Sequence, residues 1–223
     1  MILRKYTFMR NIIFSIIEKC RVNIAKIYIH LYEKKLRSRI KNKDFTILAS
    51  NCAAGIFYHR LGHKFLSPTI NMWFRQDDFI KFCCDLKHYI SCELVFINEE
   101  EYDYPVAKLD DIYLYFNHAK TKDEATENWN KRKSRINYDN LYILLYDRGN
   151  VSKEEYLRLN DVNCKNKVVF TPNKEFDLDF AYYIKPNLNR PLGDSYLDRD
   201  WLTLRTLEKE FDFVSWLNNE LVF

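Results

Sequence analysis

Along residues 2–40 the apolar side chains recur three and four apart, at Tyr6, Met9, Ile13, Ile16, Cys20, Ile24, Ile27 and Leu31. That spacing predicts one long amphipathic helix. The pattern then changes. Phe45 to Ala49 is a short apolar run of strand length, Ser50-Asn51 breaks it, and Cys52-Ala53-Ala54-Gly55 opens a second helical pattern carrying Ile56, Phe57 and Leu61. The reading is strand, tight turn, helix. Ser67 to Phe74 is a loop leading into a strand-like run. Asp77 or Asp78 is placed to cap a helix whose apolar positions are Phe79, Phe82, Cys83, Leu86 and Tyr89. Glu93 to Ile97 reads as a strand, an acidic loop runs through Glu99, Glu100, Glu101 and Asp103 to Pro105, and Val106 to Leu109 is expected as a short edge strand.

The second half alternates more clearly. Ile112 to Phe116, Leu141 to Tyr146, Lys167 to Thr171 and Phe180 to Ile184 read as strands. Thr121 with Glu124 forms a capping box for a helix through Trp129 to Ile136, and Ser152 with Glu155 caps another. Residues 204–221 are expected as a helix with Leu207, Phe211, Val214 and Leu217 on one face. Strands alternating with helices predict an α/β fold of three layers, with helices flanking a mostly parallel or mixed sheet. The expected division is a basic amphipathic helical segment, 1–43, preceding an α/β domain, 44–223.

Composition narrows the chemistry. Only four glycines occur in 223 residues, so neither common glycine-rich phosphate loop is present. The six cysteines, Cys20, Cys52, Cys83, Cys84, Cys92 and Cys164, show no C-x-x-C pair and no zinc-ligand spacing, and no metal site is expected. With no signal peptide, free thiols in a cytoplasmic setting are expected. Charge is lopsided. Residues 1–43 hold twelve Lys and Arg against Glu18 and Glu33, a balance of +10, so the remainder carries −6 of the net +4. The longest apolar run of the first helix, Ile12 to Ile17, is broken by Ser15 and too short to span a bilayer. A basic amphipathic helix can lie on an anionic membrane surface, pack on the domain, or form a dimer seam. Nucleic acid is not an expected partner, because the rest of the chain is acidic and lacks a recognition motif.

Ligands of open α/β sheets bind beyond the carboxyl ends of the strands. Those ends carry Cys52, His118, Asp147 with Arg148, and Thr171. If all four strands ran parallel, a thiol, an imidazole and a carboxylate would share one edge as nucleophile, base and orienter. A cysteine at a helix start can lose its proton near neutral pH, and backbone N–H groups of residues 52–54 can hold an oxyanion. The plainer alternatives are a cysteine filling a turn, a histidine bonded to backbone, and an aspartate shaping the turn before Gly149. His59 and His63 are alternative bases, although His59 lies about 10 Å of helical rise from Cys52. Arg132, with Lys131, Lys133 and Arg135, is either a solvated helix face or a contact for an anionic donor. Asp177-Leu178-Asp179 and Asp198-Arg199-Asp200 match the D-x-D pattern of metal-dependent sugar transferases, at a frequency expected by chance.

Several segments together resemble an uncharacterised bacterial family of exopolysaccharide or capsular polysaccharide biosynthesis proteins. They are Asn51-Cys52 with Gly55, Tyr58 to Gly62, Ser67-Pro68-Thr69, Tyr104-Pro105-Val106, Leu109-Asp110-Asp111, His118, Glu124-Ala125, Trp129, Arg132, Arg135-Ile136-Asn137, Asp147-Arg148, Val168 to Thr171, and Phe213-Val214 with Trp216-Leu217-Asn218. The likeness covers residues 44–220. Ala53 and Ala54 stand where that family often has an aromatic residue and a second glycine. The resemblance implies work on a polysaccharide or a lipid-linked sugar precursor, and the basic helix of residues 1–43 is expected to hold a cytoplasmic chain at the inner face of the membrane. The resemblance also marks Asn51, Gly55, Arg60, Ser67 and Thr69 as substrate-binding, beside Arg132, Arg148 and Thr171.

Two functions are consistent with these readings. One is a transferase that moves an acyl group to a sugar hydroxyl with Cys52, His118 and Asp147, drawing on acyl-coenzyme A, or in a variant a glycosyltransferase using a nucleotide sugar through Asp177 or Asp179. The other is a non-catalytic assembly component of the polysaccharide machinery, with Cys52 structural.

Overall fold

A computed structural model describes residues 2–98, 100–185, 197–200 and 204–221, with side chains from residue 11 onward. Glu99, and the side chains of Lys5, Tyr6, Met9 and Arg10, to which parts of the sequence reading refer, lie outside what is described. The main sheet has four parallel strands in the order β1 (Thr46–Ala49), β5 (Leu141–Tyr146), β6 (Asn166–Thr171), β7 (Ala181–Tyr183). Alternation along β5 explains the layering. Tyr142, Leu144 and Tyr146 enter one core, Leu141, Ile143 and Leu145 the other, and all six are buried. The first core is closed by the end of α1 (Ile2–Arg39), by α2 (Ala53–Leu61), and by α7 (Thr206–Glu210) and α8 (Phe213–Leu217). The second is closed by α3 (Gln76–Cys84), α4 (Leu86–Ser91), α5 (Lys122–Lys133) and α6 (Lys153–Leu157). Helices thus flank a parallel sheet on both faces, as the alternating pattern predicts.

The departures have local causes. The strands expected at 93–97, 106–109 and 112–116 do not join the main sheet. They form a separate antiparallel sheet, β2 (Val95–Ile97), β3 (Val106–Leu109), β4 (Ile112–Tyr115), with β3 central rather than at an edge. Leu109 pairs with Ile112 across a two-residue turn whose first residue, Asp110, has φ 55°, and so short a link permits only antiparallel pairing. Asp78 does not cap α3. Its Oδ2 accepts the backbone N–H of Tyr113 at 3.1 Å and ties α3 to β4. The helix expected through Tyr89 is broken at Asp85 between α3 and α4. The C-terminal helix is likewise two, because the chain leaves the first at Phe211 and Asp212 caps the next by accepting the Ser215 N–H. Its apolar face is as expected, with Leu207, Phe211, Val214 and Leu217 all buried.

Among the described residues no strand lies beside the outer edge of β1, yet the N–H groups of Ile47 and Ala49 are satisfied. Ile47 donates to the Tyr58 hydroxyl at 3.2 Å and Ala49 to Thr69 Oγ1 at 2.9 Å. The end of α1 is built into the domain. Leu36 and Ile40 are buried in the first core, Arg39 pairs with Asp212, and Asn42 donates to the Tyr142 hydroxyl and the Leu217 carbonyl.

Burial raises the Asp78 carboxyl to about 6, against an ordinary 3.8. The folded protein therefore keeps a proton that the unfolded chain releases. The stability this contributes is whole below about pH 4 and is lost as pH rises through about 6. Asp78→Asn keeps an acceptor for Tyr113 N–H without the charge. Urea denaturation across pH 4 to 7 should show the variant gaining on the parent by about 1 kcal/mol as pH rises, after discounting for solvent screening.

Candidate functional site

Cys52 is the residue before α2, placed by a turn in which Asn51 Oδ1 accepts the Ala53 N–H at 3.0 Å. Its Sγ lies 4.0 Å from the Met72 carbonyl, and the side chain of Asn117 hydrogen-bonds it. The thiol is not a ready thiolate. Burial pushes it above its usual value, and the Asn117 bond and the charge of Arg205 oppose that shift without reversing it.

From Cys52 a cavity of about 700 Å³ runs along α2, within the size range of small-molecule sites. Cys52, Gly55, His59 and Arg60 form one wall, and Asn71, Asn117 and His118 face them. Ile29 of α1 and Arg199 and Arg205 of the C-terminal region complete it. His118 arrives by a route the sequence reading did not foresee. It follows β4, and β4 is pinned beside the Cys52 turn because Trp73 and Tyr115 exchange backbone hydrogen bonds at 3.0 and 3.1 Å. Gly55 is roomy, since an added Cβ would meet only ordinary contacts at Asn71 and Ile70.

The carboxylate of the expected trio is elsewhere. Asp147 does not line the cavity. It is buried at the ends of β5 and β6, where Oδ1 accepts from the Tyr156 hydroxyl at 3.1 Å and the Gly149 N–H at 2.8 Å, and Oδ2 from Thr171 Oγ1 at 2.9 Å. Both Asp147 and Thr171 are thereby committed to holding two parallel strand ends together. Arg148 lies 5.9 Å from the Trp73 ring, outside the lining. Arg132 donates to the Ile70 carbonyl at 2.7 Å and to Asn128 at 3.2 Å, so it braces the loop before Asn71 rather than facing the cavity. Ser67 and Thr69 are buried and bonded to each other at 3.1 Å, closing the edge of β1. The D-x-D segments hold no metal geometry. Asp177 pairs with Lys153 at 3.0 Å, Asp200 pairs with Lys209 at 3.7 Å, and among the described residues no group of three or more His, Cys, Asp or Glu is placed to bind a metal ion.

Arg60 lines the cavity but its guanidinium is engaged behind the wall. Nε donates to Glu208 Oε1 at 2.5 Å and NH1 to Glu33 Oε1 at 3.1 Å. The other arginines of the lining are Arg199 and Arg205, which the sequence reading did not single out as binding residues. They meet across an isolated antiparallel bridge, and Arg205 reaches Glu208 only at 3.5 Å. Burial and the neighbouring charge of Arg199 push Arg205 below the usual guanidinium value. Among the described residues no carboxylate lines this cavity, and the complement of such a lining is an anion.

Arg60→Ala should therefore act on stability. Removing it strands Glu208, whose side chain is fully buried, and the loss of one partner from a buried pair costs about 3 kcal/mol. Chemical denaturation should show that loss, whereas Arg199→Gln, at an exposed position, should leave the midpoint within about 0.5 kcal/mol.

The comparisons with known proteins agree with the extent of this architecture. A Haemophilus influenzae protein described as uncharacterized is 30% identical over 203 residues, covering 91% of this chain and 98% of that one. Residues 23–218 match the family described as a domain of unknown function, DUF1919, and the matched region takes in the second half of α1 together with nearly all of the α/β domain. The chain belongs to the DUF1919 family.

Proposed function

We propose that this protein is a transferase acting on an anionic, sugar-containing precursor of a surface polysaccharide, and that it moves an acyl group to a sugar hydroxyl. The observation that carries the reading is the single cavity lined by Cys52, His118, Arg199 and Arg205, with no carboxylate among its described lining residues. The polysaccharide assignment draws on the resemblance of the segments around Cys52, His118 and Arg132.

The raised thiol requires a base, and His118 is the imidazole beside Asn117, the residue that bonds the sulfur. In the first step the Cys52 sulfur attacks the acyl carbonyl carbon while His118 takes the thiol proton. Coenzyme A leaves with that proton, and a thioester remains on Cys52. The sugar hydroxyl then attacks the thioester carbonyl, His118 removes its proton, and the Cys52 thiol is regenerated. Arg199 and Arg205 hold phosphate of the donor or the acceptor. Asp147 has no part in this scheme, its carboxylate being taken up by Tyr156, Thr171 and Gly149. The same basic wall fits the diphosphate of a nucleotide sugar, which makes direct glycosyl transfer the second reading.

Intact-protein mass spectrometry after incubation with acetyl-coenzyme A and longer acyl donors tests the covalent step. The parent chain should gain one acyl mass, Cys52→Ala none, and His118→Ala should acylate about a hundredfold more slowly. No adduct with any donor would reject the covalent step and favour glycosyl transfer or a binding role.

A further inference from the structure

We propose that α1 docks the protein on an anionic lipid bilayer through the outward seam formed by Ile13, Ile16, Ile24, Ile27 and Leu31. The helix has two apolar faces. Ala25, Ile29, Tyr32, Leu36 and Ile40 turn toward the domain and are buried or half-buried. At about 100° per residue, the seam lies on roughly the opposite side. It is bare, with Ile13 55%, Ile24 51%, Ile27 64% and Leu31 59% exposed. It extends about 27 Å along the helix. An apolar strip of that length on water is unusual for a surface without a partner.

Charge selects the occupant. Lys19, Lys26 and Lys34 flank the seam on one side, all exposed, and among the described residues none has an acidic partner. The two acidic residues of the helix are spent on the domain side or within the helix, Glu18 on Arg21 and Glu33 on Arg37 and Arg60. The outward half of α1 from residue 11 onward thus carries lysines, apolar groups and a few neutral polar side chains such as Asn23 and Ser38, and no acidic side chain. A second copy of the chain on this seam would set lysine rows near one another with no flanking Glu to pair them. Anionic head groups complement both features at once. No helix among the described residues is long and apolar enough to cross a membrane, so the contact is with the surface. Ile29, on the far side of the same helix, lines the Cys52 cavity. Docking therefore holds that cavity about one helix diameter, ~10 Å, from the lipid, near the head group of a lipid-linked substrate. The docking itself does not depend on the transferase reading.

The test is co-sedimentation of the full chain with large vesicles of phosphatidylcholine alone or mixed equally with phosphatidylglycerol. The parent chain should pellet with the mixed vesicles, much less with neutral ones, and less as salt is raised. The triple variants Ile16→Ser/Ile24→Ser/Ile27→Ser and Lys19→Glu/Lys26→Glu/Lys34→Glu should each lower partitioning at least about tenfold, with unchanged circular dichroism, since every altered side chain is exposed. Absence of pelleting, or equal pelleting of the parent and both variants, overturns the proposal. So does a parent chain that is a dimer in solution and becomes a monomer in the serine variant without ever binding vesicles. Failure of acyl transfer would leave these outcomes untouched.

Discussion

A buried guanidinium is tolerated only where several acceptors surround it, because the cost of desolvating the charge must be offset by close, well-aligned partners. Arg60 meets that condition by drawing Glu33 from α1 and Glu208 from α7 onto α2. The same cluster recruits Arg37, which bonds both Glu33 at 3.0 Å and the Arg60 carbonyl at 3.0 Å, and Tyr32, whose hydroxyl donates to the Glu208 carbonyl at 3.1 Å. Three segments distant in the chain are thus held around one charge. They are the segments that frame the Cys52 cavity: α1 supplies Ile29, α2 supplies Cys52 to Arg60, and the residue before α7 is Arg205.

With the carboxylates of this cluster already paired with Arg60, the cavity wall is left with net positive character. Among the described residues Glu208 is the carboxylate that reaches Arg205, and its closer partner is Arg60. The proposed reaction divides the work of this hollow between two arginines that would hold phosphate and a thiol and an imidazole that would handle the acyl group, and the proposed docking face lies on the opposite side of α1.

The α/β class and its layering were legible because β5 and β6 are long, continuous apolar runs and because Thr121 and Ser152 announce their helices with side-chain caps that form as expected. Strand direction was not legible. Apolar alternation in Ile112 to Tyr115 is the same in either sheet, and the deciding feature is a turn at Asp110-Asp111 that lacks the usual glycine. His118 nonetheless reached the cavity through the Trp73–Tyr115 bridge, whereas Asp147, on a strand that is parallel as expected, does not line it. Asp147 looked like a free strand-end carboxylate because its partners, Tyr156 and Thr171, lie 9 and 24 residues on. Arg60 looked like a ligand contact because Glu208 is 148 residues away. Arg199 and Arg205 were not singled out because they come to the cavity from the far end of the chain, well over a hundred residues from Cys52.

If Arg199 and Arg205 make this cavity an anion site, as proposed, calorimetric titration with inorganic pyrophosphate will show it. The parent chain should bind saturably, more weakly as salt rises, and Arg199→Gln/Arg205→Gln should lose at least about tenfold in affinity with the fold intact. Equal affinity in both proteins, or no binding to the parent, would rule out an anion site on these two arginines.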